Sequence, residues 1–176
     1  MFGRNQKDSS ETEGSAKIEL RLLEDAGTFT SSDGTEMLFH GFNVTTIDGH
    51  RLLLSDSGPA IEGIFYFGIA GATYCPAVNR LESNPPTQVI LRHEPTNPHA
   101  DKAIEILSDG KIVGYVPAKL CPRMLLWMNS IEHHGMTTKG SIGYVTKTFH
   151  KNGRIIGGEV LSIARGYGIN MTDQRD

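Results

Sequence analysis

Short apolar runs broken by turn residues set the character of this chain. Asp48-Gly49 separates FNVTTI from HRLLL, Asp109-Gly110 separates AIEILS from KIVGYV, and Asn152-Gly153 separates SIGYVTKTFH from RIIGGEVLSIA. Asp-Gly and Asn-Gly supply the positive φ that tight turns require, so each pair predicts a β-hairpin. Ile104 and Ile106 share a face with Ile112 and Gly114, while Lys102, Glu105 and Lys111 fall outside it. Leu107 and Val113 break that alternation. Gly63–Ala70 (GIFYFGIA) and Thr87–His93 (TQVILRH) read as further strands. Several short strands joined by hairpins point to a mainly β fold that closes as a small barrel.

One main helix stands out. Pro117–His134 places Leu120, Met124, Trp127, Met128 and Ile131 at helical spacing. Pro122 fits only a first turn or a kink, so the regular helix is expected to begin there. His133, His134 and Gly135 form its expected end. A shorter helix is expected after Pro76, through Ala77, Val78 and Leu81. The polar residues 1–16 are expected to be a flexible leader and 171–176 a flexible tail.

Composition removes whole classes. The chain has 176 residues, 38% of them hydrophobic and 21% charged. It can bury roughly 70% of its unfolded surface, and so folds without a disulfide or metal. Its longest apolar stretch, Ile64 to Ala72, is half the ~18–20 residues of a membrane span. The start MFGRNQKDSSETEG lacks a secretory apolar core, which sets cytoplasmic as the expected location. The 17 basic and 20 acidic residues give a net charge of -3. Any contact with nucleic acid therefore depends on local positive charge. Lys139, Lys147, Lys151, Arg154 and Arg165 supply such a concentration, with Glu159 the acid among them. Solvated hairpin tips explain them equally well.

Enzyme signatures are missing: no phosphate-binding glycine loop, no nucleophile elbow, no paired C-x-x-C and no H-E-x-x-H. Cys75 and Cys121 read as packing residues, and the histidines as solvent-facing groups rather than metal ligands. Glu94, Asp101 and Glu105 read as a solvated acidic face. No cofactor is expected.

The distinctive segment is Val89–Pro117. An apolar strand runs into Arg92-His93-Glu94, then into the bracketed loop Pro95-Thr96-Asn97-Pro98. Prolines fix φ and extend the residues before them, and Asn97 can bond back to the loop backbone. A rigid polar loop leaving a strand holds hydrogen-bonding groups in place. A plain turn accounts for the same residues.

RHEPTNPH at 92–99, Ala103-Ile104, and Val113-Gly114-Tyr115-Val116-Pro117 together resemble the HIRAN domain family. FGIAGATY at 67–74 is similar to that family's opening strand and turn, and a helix follows Pro117 in both. The likeness covers about residues 63–134, and the strands from Ser141 to Ala164 would complete the barrel. It implies an OB-like or SH3-like small β-barrel at 63–170. Residues 17–62 lie outside the likeness, and their β-like runs KIELRLLED, MLFHGFNVTTI and HRLLLS read as an N-terminal β extension. It also implies non-catalytic recognition of single-stranded DNA or its 3′ ends, in DNA repair or at replication forks. By this resemblance Tyr74 is the base-stacking ring, Asn97 and His99 the loop contacts, and Tyr115 the hairpin aromatic. Thr73, Arg92 and Asp101 are their neighbours, and Lys147, Lys151 and Arg154 would follow the phosphates. Ala100 replaces the family's Asp, Lys102 its Asn, and Thr73 the Arg of the helicase-linked version. A helicase or other repair protein is the implied partner. The competing readings are a protein-interaction module on the same barrel and, more weakly, a metal-dependent nuclease or hydrolase using the loop's His and Asp groups.

Overall fold

The computed structural model describes residues 17–83, 86–133, 141–163 and 168–173. The expected leader, His134, Gly135, Lys139 and Arg165 lie outside the described residues. The strands are β1 (Lys17–Thr30), β2 (Glu36–Thr46), β3 (Ile64–Gly68), β4 (Thr87–His93), β5 (Ile104–Ser108), β6 (Lys111–Tyr115), β7 (Ser141–Lys151), β8 (Arg154–Ile163) and β9 (Gly168–Asp173). One α-helix, α1 (Cys121–His133), and two short 3-10 turns, Ala72–Tyr74 and Pro76–Arg80, complete them. Pro122 lies in the first turn of α1, where its missing N–H costs nothing. No described helix is long and apolar enough to cross a membrane.

Two of the expected hairpins form on the expected residues. β5–β6 turns at Asp109-Gly110 (φ 48° and 74°), and β7–β8 turns at Asn152-Gly153 (φ 50° and 72°). Positive φ at both central residues matches the right-handed twist of the flanking strands. Asp48-Gly49 behaves differently. The chain does turn there, with Gly49 at φ 87° and Thr46 N–H bonded to the His50 carbonyl at 2.8 Å. The run after it forms only a bridge, Thr45 to Arg51, and no strand. β2 pairs instead with β1, through a turn at Ser31–Thr35 where Asp33 accepts from Thr35 N–H at 3.0 Å.

The strand order β6-β5-β4-β7-β2-β1-β9 describes a single sheet, and β8 joins it by pairing with both β7 and β3. β3, β8, β7, β4, β5 and β6 therefore run most of the way around a ring. Among the described residues no ladder closes it, so the expected barrel is an open one. A single antiparallel bridge, Ala70 to Tyr115, spans the gap, with both N–H···O bonds at 2.8 Å. Gly114 permits this approach: a Cβ there would lie 2.2 Å from Ile69 Cγ2 and 2.9 Å from the Ala70 carbonyl oxygen.

Two apolar clusters result. The first fills the ring with Phe65, Phe67, Leu91, Ile104, Ile106 and Val160, and α1 covers it with Leu120, Met124 and Met128. The second lies between the ring and the extension, with Leu20, Phe42, Val44, Leu52 and Leu161 around Ile64 and Tyr66. β3 therefore sends Phe65 and Phe67 to one core and Ile64 and Tyr66 to the other, as period-two geometry requires. Phe42 and Leu52 join the core, while Leu53 and Leu54 are exposed.

Candidate functional site

The loop after β4 is organised by its own side chains. Asn97 Oδ1 accepts from the backbone N–H of His99 (2.9 Å) and Ala100 (3.2 Å), and its Nδ2 donates to Glu94 Oε2 at 2.8 Å. Glu94 N–H closes the base of the loop on the Ala103 carbonyl at 2.8 Å. His93 Nε2 donates to the Asp101 carbonyl at 2.7 Å, which assigns the proton to that nitrogen. These bonds consume Asn97's acceptor and half of its donor capacity. Asn97 builds the loop more than it reaches beyond it.

That loop meets the ring seam in an open pocket of about 350 Å³. Ala70, Gly71 and Tyr115 come from the seam, and Asn97, His99 and Ala100 from the loop. Lys102 and Ala103 complete the loop side, with Val116, Ala118 and Cys121 at the approach to α1. The pocket is therefore mainly apolar, with polar groups at its edge. Burial raises the Tyr115 phenol above its ordinary pKa, and the Glu94 and Glu105 carboxylates push it the same way. It stays a protonated donor.

Of the residues singled out in sequence, Asn97, His99 and Tyr115 line this pocket. Tyr74 does not. It ends the short turn that begins after Gly71, and it is 89% exposed. Thr73 is exposed beside it, and Asp101 is exposed on the loop. Arg92 is paired with Glu105 across β4 and β5. Glu105 is thus a buried ionic partner and not part of a solvated acidic face. Glu94, assigned to that same face, braces Asn97 instead.

Lys147 requires the largest correction. It is 2% exposed, with its ammonium 2.7 Å from Asp25 Oδ2 and 2.9 Å from Asn43 Oδ1, so it cannot follow a phosphate backbone. Asp25, Gly41 and Lys147 are cross-strand neighbours over β1, β2 and β7, and a Cβ at Gly41 would lie 2.2 Å from the Thr146 carbonyl oxygen. Thr146 is buried as well, and Thr148 is buried with its hydroxyl against Ser83 Oγ at 3.2 Å and the His40 carbonyl at 3.5 Å. Lys151 and Arg154 face each other at the β7–β8 tip. Ile155 N–H donates to Asn79 Oδ1 at 3.1 Å, which ties that tip to the turn following Tyr74. Glu159 is buried and accepts from the Tyr66 hydroxyl. Among the described residues, no three His, Cys, Asp or Glu side chains gather to hold a metal ion.

No curated protein matches the chain. The crystal structure of the HIRAN domain of human HLTF aligns at 18% identity over 57% of this chain and 74% of that one, with a TM-score of 0.37. The family model for the HIRAN domain matches residues 62–148, from the start of β3 through most of β7. That span holds the loop, the seam and the pocket between them, so the chain carries a HIRAN domain across residues 62–148.

Proposed function

We propose that the chain binds single-stranded DNA without catalysing a reaction on it, one base entering the pocket at the ring seam. HIRAN domains are in general DNA-binding modules. The observation that carries the reading is the convergence of Asn97, His99 and Tyr115 on one cavity of about 350 Å³, large enough for a small ligand. A single strand suits it because an unpaired base offers a flat apolar face to Tyr115. Tyr74, exposed next to Gly71, supplies a second ring for the neighbouring base. Stacking of this kind contributes about 1–3 kcal/mol per base. Lys151 and Arg154, tied through Asn79 to the turn beyond Tyr74, give the outgoing phosphates local positive charge. The net charge of -3 then limits non-specific binding to duplex.

Fluorescence anisotropy with labelled oligonucleotides tests this. Single strands bind more tightly than duplex, and affinity falls as salt rises. Tyr74→Ala weakens single-strand binding about tenfold while leaving the unfolding midpoint unchanged. Equal affinity for both forms, with Tyr74→Ala indistinguishable from the parent, overturns the reading. Action beside a helicase or another repair protein, in the cytoplasm, is the setting this reading favours.

A second reading has its own observation. Leu53 is 75% exposed, and with Leu54 it borders a cavity of about 400 Å³ on the extension, beside Arg51 and Ile61. Apolar side chains left at the rim of a hollow suit protein–protein contact. Leu53→Asp separates the two readings, since it abolishes capture of a repair partner and leaves oligonucleotide affinity intact.

A further inference from the structure

β2 joins β7 through four residue pairs, from Leu38 and His150 to Gly41 and Lys147. One end of this ladder is held by the Lys147–Asp25 ion pair. Toward the other end the rings of His40 and His150 stack, with centroids 4.5 Å apart and planes 31° from parallel. Two hydroxyls link the rings. The fully buried Ser83 hydroxyl donates to the His40 carbonyl at 2.9 Å, so His40 Nδ1, 3.0 Å away, is the donor to Ser83 Oγ. The Thr148 hydroxyl lies 3.2 Å from Ser83 Oγ and 3.0 Å from His150 Nε2, and its proton can turn to either. His150 Nε2 accepts when its ring is neutral and donates when it is charged, and the chain stays bonded in both states. Protonation changes the charge across the stack, not the number of hydrogen bonds.

That charge has little else to meet. His40 faces Ala26 on β1 and Thr148 on β7, while His150 faces Leu38 on β2 and Ile155 on β8. Glu24 and Glu36 are the acids of the same face, two places along from Ala26 and from Leu38. Arg80, Glu82, Lys151 and Arg154 stand on the adjoining segments. Among the described residues none of these forms an ion pair with either ring. Burial holds His150 below the ordinary histidine range, and the charge on His40 pushes it the same way. We infer that the His40–His150 stack is a pH-sensitive clasp between the extension and β7, closed while at most one ring is charged and loosened when both are. An unfolded histidine takes its proton at about pH 6.5, whereas His150 in the fold takes it only in more acid solution. The clasp is fully effective above about pH 6.5, and it weakens as pH falls through that value toward the lower midpoint of His150. Two unit charges this close repel by an amount worth about fivefold in an equilibrium even in water. The second apolar cluster still holds Leu20, Phe42 and Val44 against Ile64 and Tyr66, so the ladder end frays while the extension stays attached.

Amide hydrogen exchange, followed by NMR on the full chain at about pH 7.5 and about pH 5, tests this, each rate being divided by that of the unfolded chain at the same pH. On acidification, protection of the β2–β7 ladder falls about fivefold relative to the β5–β6 ladder. His150→Gln keeps a polar partner for Thr148 and cannot charge, so it abolishes the difference, and His40→Gln does the same. Equal relative protection at both pH values overturns the inference, as does a fall that both variants retain. Titration of the ring-proton shifts gives a second measure. His40→Gln moves the His150 midpoint toward that of a free histidine, and a midpoint it leaves unmoved overturns the clasp. In the parent chain each ring's curve carries the other's step, as coupled groups require. Two independent single-proton curves there overturn the inference even where neither variant folds.

Discussion

Lys147 and Lys102 hold the same charge under opposite conditions. Lys147 lies where β2 crosses β7, covered by the extension and fixed between Asp25 and Asn43. Lys102 stands on a surface loop at the edge of a pocket, exposed and without an ionic partner among the described residues. A buried ammonium must be paired, because its desolvation costs several kcal/mol. An exposed one has no such requirement and stays available to a ligand. Net charge and clustering in sequence cannot distinguish these cases, since both lysines sit among polar and apolar neighbours. What separates them is which face of which strand another segment covers.

The comparison breaks most visibly at the buried site. Asp25→Ala leaves Lys147 almost inaccessible with only Asn43 to bond, and stability measured by urea unfolding falls by about 4 kcal/mol. The corresponding change at the rim, Lys102→Gln, leaves unfolding unchanged. The seam comes next. Gly114→Ala forces a Cβ into Ile69 and the Ala70 carbonyl, costing about 2–3 kcal/mol in the same assay. It parts the Ala70–Tyr115 bridge, and amide hydrogen exchange at Ala70 and Tyr115 accelerates. Smallest is Asn97→Ala, which removes three loop hydrogen bonds on a half-buried, water-accessible segment. It lowers stability by about 1 kcal/mol and slackens the pocket's loop wall, read as faster exchange at His99 and Ala100.

Local chemistry made much of the ring legible. Asp109-Gly110 and Asn152-Gly153 announce their turns because the residue types encode the required φ, and Pro122 marks the start of α1 for the same kind of reason. The loop was legible in outline, since Asn97 between two prolines signals a constrained turn. Non-local events were hidden. The first hairpin turns at Asp33-Gly34, a signal as good as Asp48-Gly49, yet the apolar runs predict the returning strand after Asp48-Gly49. Leu53 and Leu54 look like strand interior in sequence, but no strand pairs beside them. Glu105 alternates outward from Ile104 and Ile106 as predicted, and then is covered by Arg92 and Tyr115 on its cross-strand neighbours. The bridge that closes the ring joins Ala70 to Tyr115, two residues that no sequence period connects.

β3 gives the family boundary a practical meaning. A fragment begun at residue 62 would retain every pocket residue and still present Ile64, Tyr66 and Leu161 to water, because their covering side chains come from upstream. It would also leave the Lys147 ammonium facing outward with neither Asp25 nor Asn43 to receive it. The stretch that conveys kinship is therefore shorter than the stretch that can stand alone in solvent, and cloning to the former would yield a sticky, half-dressed particle.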